Sequence, residues 1–176
     1  KTVYVITTSK LYFYNDNEKK WIRVADSTLD YYNRYYKTIA NNGNKVLIGS
    51  DTNSLIKKNI FLSSDFGQTW KAIDDTLSGI MGQNINCFAF KGNLIFAGTS
   101  RGIFISSDSG ENWVAKNKNG FTQEVKSIYV SDTVMFFGTP IGIVNSFDNC
   151  ETFNLITNRI GGYITSLQSH KNILYA

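Results

Sequence analysis

The 176-residue chain carries 18 Lys and Arg against 14 Asp and Glu, a net charge of +4, far short of the dense basic surface that nucleic-acid binding requires. With 42% hydrophobic and 14% aromatic residues, it can bury a core and is not a disordered chain. No apolar run reaches the roughly 18 residues of a membrane span, no charged-then-apolar leader opens it, and two cysteines, Cys87 and Cys150, make neither a disulfide framework nor a zinc site.

In chain order, residues 3–7 form a first apolar strand, followed by a strand ending in Tyr14-Asn15-Asp16-Asn17-Glu18-Lys19-Lys20-Trp21. A tyrosine-rich connection, residues 30–37, leads to a second apolar run, Val46-Leu47-Ile48-Gly49-Ser50. After it comes Ile60-Phe61-Leu62-Ser63-Ser64-Asp65-Phe66-Gly67-Gln68-Thr69-Trp70. That pair of signatures then returns. Leu94-Ile95-Phe96-Ala97-Gly98-Thr99 precedes Ile103-Phe104-Ile105-Ser106-Ser107-Asp108-Ser109-Gly110-Glu111-Asn112-Trp113. Met135-Phe136-Phe137-Gly138-Thr139 precedes Ile143-Val144-Asn145-Ser146-Phe147-Asp148-Asn149-Cys150-Glu151-Thr152-Phe153. A last first strand at residues 165–169 and a second at 173–176 end the chain. The connecting turns carry Lys91-Gly92-Asn93 and Ser100-Arg101-Gly102, both turn chemistry. No stretch keeps a helical period over three turns.

Internal repetition of four short strands per 40 to 50 residues is the sequence signature of β-propeller blades. The register predicts an all-β chain of 17 strands: blade one at 1–27, blade two at 38–77, blade three at 85–118, blade four at 125–158, and the start of another at 164–176. Four blades' worth that neither opens nor closes on a whole blade reads as part of a larger ring and of a longer chain.

Each acidic segment is predicted to be a self-contained turn. Its aspartate (16, 65, 108 or 148) accepts nearby backbone N–H groups. The Ser63, Ser106 or Ser146 hydroxyl satisfies another backbone group, as do Thr69 and Thr152. Gly67 and Gly110 supply a positive φ, and Trp21, Trp70, Trp113 or Phe153 covers the turn. Such carboxylates are spread around a ring and cannot converge as catalytic acids or calcium ligands, so no catalytic, metal or cofactor site is assigned to them. Cys150 occupies a glycine position, which predicts a distorted turn. Both cysteines are expected to be free thiols, and His170, in the turn between strands one and two, to face water.

The segment Ser-x-Asp-x-Gly-x-Thr-Trp resembles the Asp-box, or BNR, repeat. Residues 63–70 fit it at every fixed position; 106–113 depart by Asn112, 146–153 by Cys150 and Phe153, and 14–21 keep only Asp16 and Trp21. That family includes sialidases and other glycosidases, sortilin-like receptors and photosystem II stability propellers. The resemblance implies that the boxes are scaffold, lying away from the functional face, and that the protein is secreted or at a bacterial cell surface. A sialidase's arginine triad and Arg-Ile-Pro segment are not matched, since Arg159-Ile160 is followed by Gly161.

Propeller geometry places the loops between second and third strands on the face opposite the boxes. Two departures from the repeat fall there: the tyrosine-rich connection and an insertion between Ser50 and Asn59. Tyr31, Tyr32, Arg34, Tyr35, Lys57 and Lys58 are therefore the candidate ligand-binding rim. Tyrosines stack on sugars or anchor proteins, and the cations pair with acidic groups. Two readings stay open. One is a non-catalytic binding or scaffold propeller whose partner is a protein or a glycan. The other is a fragment of a glycoside hydrolase with its catalytic carboxylates elsewhere.

Overall fold

The computed structural model describes residues 2–32, 35–51, 58–73, 78–116, 121–156, 163–171 and 173–176, with Tyr31 and Tyr32 described by their backbone alone. Among these residues, seventeen strands fall into five antiparallel sheets, each in chain order. The first holds β1 (Tyr4–Ile6), β2 (Leu11–Asn15) and β3 (Lys20–Arg23). The second holds β4 (Tyr36–Asn42), β5 (Lys45–Ser50), β6 (Ile60–Ser63) and β7 (Lys71–Ala72). The third holds β8 (Ile85–Lys91), β9 (Leu94–Thr99), β10 (Gly102–Ser106) and β11 (Val114–Ala115). The fourth holds β12 (Ser127–Val130), β13 (Met135–Thr139), β14 (Gly142–Ser146) and β15 (Asn154–Leu155), and the last β16 (Gln168–His170) and β17 (Ile173–Tyr175).

The middle strands are continuous apolar runs because both of their faces are buried. In β5, Val46 and Ile48 join a cluster with Leu11, Tyr4 and Phe13 of the first sheet. Leu47, between them, joins Ile85, Ile95 and Ala97 of the third. The same alternation sends Phe96 of β9 forward to Met135 and Phe137, and packs Phe136 of β13 against Ile164 and Leu167. Side chains alternate across a strand, so this pattern stacks the sheets face to face in sequence. The first strands are also neighbours: β4 lies against β8, and β8 against β12. Sheets stacked in order about converging first strands are propeller blades, in part of a ring.

The repeated glycine of each second strand sets how close the next blade comes. A Cβ on Gly49 would lie 2.5 Å from Ile85 Cγ2, one on Gly98 2.7 Å from Val125 Cγ1, and one on Gly138 2.7 Å from the Ile164 carbonyl oxygen. The hydroxyl after it closes the turn: Thr99 Oγ1 and Thr139 Oγ1 donate to the carbonyls of Gly102 and Gly142 at 3.0 and 2.8 Å.

Among the described residues, two short helical segments lie in the connections between sheets. Part of the tyrosine-rich connection is a short helix, α1 (Ser27–Tyr32), capped by Asp26, whose Oδ1 accepts the N–H groups of Thr28 and Leu29 at 2.8 and 3.3 Å. Leu29 and Tyr36 then bury into the seam between the first two sheets. A single 3-10 turn, Ile80–Gly82, enters the next seam, with Ile80 and Met81 buried.

Candidate functional site

The aspartate turns occupy one face. In the second sheet, Asp65 Oδ1 accepts Ser63 Oγ (2.7 Å) and the N–H groups of Gln68 (3.0 Å) and Thr69 (2.9 Å). Its Oδ2 accepts Thr69 Oγ1 at 2.6 Å. Ser63 Oγ in turn accepts the Gly67 N–H at 2.8 Å, and Trp70 Nε1 donates to the Gly67 carbonyl at 3.0 Å. The third sheet repeats this with Asn112 in place of the threonine: its N–H and side-chain amide reach Asp108 at 2.9 and 2.8 Å, and Trp113 Nε1 reaches Gly110 at 3.1 Å.

Hydrogen bonding to the ionised form lowers a carboxyl pKa. The Thr69 hydroxyl, then the Thr69 N–H and the Ser63 hydroxyl, hold Asp65 at about 2. The Thr152 hydroxyl and N–H hold Asp148 at about 2. Burial pushes Asp108 upward, yet its bonds from Asn112 and Ser106 leave it below the ordinary carboxylate range.

The turn containing Cys150 is not distorted, contrary to expectation. Asn149 and Cys150 take φ of 53° and 68°, matching 59° and 79° at Phe66 and Gly67 and 72° and 95° at Ser109 and Gly110. Cys150 N–H reaches Ser146 Oγ at 2.9 Å, and Thr152 Oγ1 reaches Asp148 at 2.6 Å. The cysteine absorbs the left-handed backbone because its side chain is fully buried in the seam cluster with Phe96 and Ile103. Burial pushes the thiols of Cys87 and Cys150 up to about 12, and both are free. Phe153 stacks on Phe121 with ring centroids 4.2 Å apart.

In the first turn the roles assigned to Asp16 and Trp21 are not those seen. Asn15 Oδ1 accepts the N–H groups of Asn17 (2.9 Å) and Glu18 (3.2 Å), while Asp16 faces Lys19 at 3.8 Å. The Asn15–Lys20 pair extends the ladder into the turn, so Asp16 lies past the point where the other aspartates fold back. Trp21 is 47% exposed and packs edge-on against Tyr14.

The opposite face carries the candidate rim. Tyr31 and Tyr32 end α1; Arg34 and Lys57 lie outside the described residues. Tyr35 is 71% exposed, and its carbonyl accepts the Asp51 N–H at 3.1 Å, which joins the connection to the start of the 50–59 insertion. Lys58 is half-buried. Tyr36 is buried at the start of β4, its hydroxyl donating to the Leu29 carbonyl at 3.0 Å.

Beside this rim stands a feature that the sequence reading missed. The β4–β5 and β8–β9 ladders each skip one residue, Lys37 and Asn86, forming bulges at the start of successive first strands. Bulges free a side chain from the pleat and re-aim it. Lys37 pairs with Asp51 at 2.6 Å; Asn86 Nδ2 donates to Glu124 Oε1 at 3.2 Å, and Glu124 pairs with Lys126 at 2.7 Å. Polar groups thus gather where the first strands converge. A polar residue two places into each first strand was the available signal. Tyr163, just before Ile164, is 69% exposed on this face. His170 is exposed at the end of β16.

No protein-family model and no curated protein matches the chain. Solved structures do. The extracellular domain of a putative hybrid two-component system from B. thetaiotaomicron aligns over 97% of this chain and 24% of its own, at 13% identity and a TM-score of 0.74. The GH74 enzyme of Niastella koreensis aligns over 95% of this chain and 29% of its own, at 19% identity and 0.72. YCF48 bound to D1 peptide aligns over 94% of this chain and 53% of its own, at 15% identity and 0.67. The fold is that of a β-propeller. The chain spans about a quarter to a half of the length of these three proteins.

Proposed function

We propose that this chain is an Asp-box propeller segment that serves as a non-catalytic binding or scaffold module of a secreted or cell-surface bacterial protein, with a protein segment or a glycan as its partner. The observation that carries the reading is the rim opposite the aspartate turns. There the exposed Tyr35, whose carbonyl accepts the Asp51 N–H, lies close in sequence to the Lys37–Asp51 pair and to Tyr31 and Tyr32 at the end of α1. An exposed ring fixed to a bulged strand start supplies contact area at low entropic cost. Asp51 and Glu124 are each ion-paired with a lysine, an arrangement suited to positioning and recognition. The extracellular neighbour favours the location, and the neighbour bound to a peptide favours a protein partner.

The test is an array of oligosaccharides and peptides probed with the wild type and with a Tyr31→Ala, Tyr32→Ala, Tyr35→Ala triple variant. The expected result is retention of a ligand by the wild type and its loss in the variant with an unchanged melting temperature. Sharply lowered melting with retained binding overturns the reading, since the rings are then packing residues.

A further inference from the structure

On the aspartate-turn face, the seam between the third and fourth sheets opens into a cleft of about 410 Å³ floored by Leu94, Ile105 and Val114, within the size range of small-ligand sites. The preceding seam shows why this one is open. At the repeat positions of Leu94 and Val114, the second sheet carries Lys45 and Lys71. Lys45 bridges to the Ser109 hydroxyl and Lys71 to Glu111, across the seam between the second and third sheets. In the later seam both lysines are replaced by apolar residues. The ties are made instead by Lys116, two residues further along, to Glu151, and by Lys91 to Asn149 Oδ1 at 3.3 Å, and neither covers the aliphatic floor.

The rim chemistry selects the occupant. Asp148 and Glu151 line one wall, with Lys116 paired to Glu151 and Lys91 held on Asn149 Oδ1 at the rim, so the carboxylate that faces the cleft beside these pairs is that of Asp148. Asp148 Oδ2 accepts the Thr152 hydroxyl, and a carboxylate oxygen has a further lone pair to offer. An aliphatic floor beneath a carboxylate rim complements a side chain with an apolar stem and a cationic head. We propose that this cleft is a docking site for an arginine side chain of a partner peptide, its methylenes on Leu94, Ile105 and Val114 and its guanidinium at Asp148. Arginine suits it better than lysine because its planar fork pairs with carboxylates bidentately and is more weakly hydrated. The site lies on the face opposite the rim of the proposed function and stands without it.

The test is a titration, followed by methyl NMR, of the capped peptide Gly-Ala-Arg-Ala-Gly against its citrulline counterpart, which keeps the shape and removes the charge. The expected result is saturable shifts at Leu94, Ile105 and Val114 with a dissociation constant of order 1 mM, as fits one docked side chain, and at least about fivefold weaker citrulline binding (a loss of roughly 1 kcal/mol). The double variant L94K/V114K, which restores the lysines of the closed seam, should lose the shifts while melting within a few degrees of the wild type. The reciprocal K45L/K71V should gain a second set of shifts at Leu62. Absence of saturable shifts up to about 20 mM peptide, equal binding of the citrulline peptide, equal binding of free arginine, or unchanged binding by a folded L94K/V114K overturns the proposal.

Discussion

Asp65 and Asp148 hold their turns as ions, and this fixes the sign of a pH dependence. Each folded-state pKa, about 2, lies below the ordinary value of 3.8. Their stabilisation is therefore fully present above about pH 4 and is lost as the pH falls toward 2. Thermal unfolding followed from pH 5 to pH 2 should show the melting temperature falling mainly in that window. Asp65→Asn should start lower at pH 5 and fall less steeply, because one of the linked protons is gone while those of Asp108 and Asp148 remain; a slope equal to the wild type's sinks the assignment. Cys150 gives an ordering contrary to size. At its φ of 68°, Ala keeps the left-handed strain and loses the buried sulfur, whereas Gly relieves the strain. Cys150→Gly should therefore be more stable than Cys150→Ala by about 1 kcal/mol, read from urea midpoints. The reverse order means that packing against Phe96 and Ile103 outweighs the backbone.

Each blade is joined to the next by a glycine and by its turn. The contacts to the next blade are backbone-deep at Gly138, where a Cβ meets the Ile164 carbonyl oxygen at 2.7 Å, and side-chain-deep at Gly98, where it meets Val125 Cγ1 at 2.7 Å. Overpacking of this kind costs roughly 1–3 kcal/mol. Gly138→Ala should thus be the more harmful of the two, since a carbonyl in the next blade's entry segment cannot shift as a valine methyl can; chemical denaturation of both variants checks the order. The turns add lateral ties: Tyr4 hydroxyl donates to the Phe66 carbonyl at 2.7 Å, and Lys91 to Asn149 Oδ1 at 3.3 Å. Sheets and their order were legible because apolar runs and punctuating turns repeat in phase. α1 was not, since six residues with one buried leucine carry no period; its trace was the Asp26-Ser27-Thr28 cap. The bulges escaped because a ladder skip depends on the partner strand, and the Asp16 turn because sequence alignment cannot tell which residue a hairpin folds around.

At the scale of the molecule, the first sheet carries on its outer face the positions that the later sheets bury. Positions facing the preceding sheet are buried in each later blade: Val46 and Ile48 at 0%, Ile95 and Ala97 at 2% and 0%, Met135 and Phe137 at 1% and 0%. Their counterparts in and just before β1, Val5 and Val3, are 42% and 52% exposed. Cross-strand pairing extends them into rows, Val5 with Tyr12 and Arg23, and Val3 with Tyr14 and Trp21. A contiguous apolar and aromatic sheet face of this kind drives association. Produced on its own, a polypeptide of these 176 residues should therefore self-associate as its concentration rises and bind a hydrophobic dye while fully folded. Val5→Lys with Trp21→Lys should shift sedimentation toward the monomer and dim the dye. Both side chains are already near half exposed, so the melting temperature should stay within a few degrees of the wild type. Association that persists in a folded double variant places the contact elsewhere, on the outer edges β7, β11 or β15, whose short strands also present unpaired backbone groups.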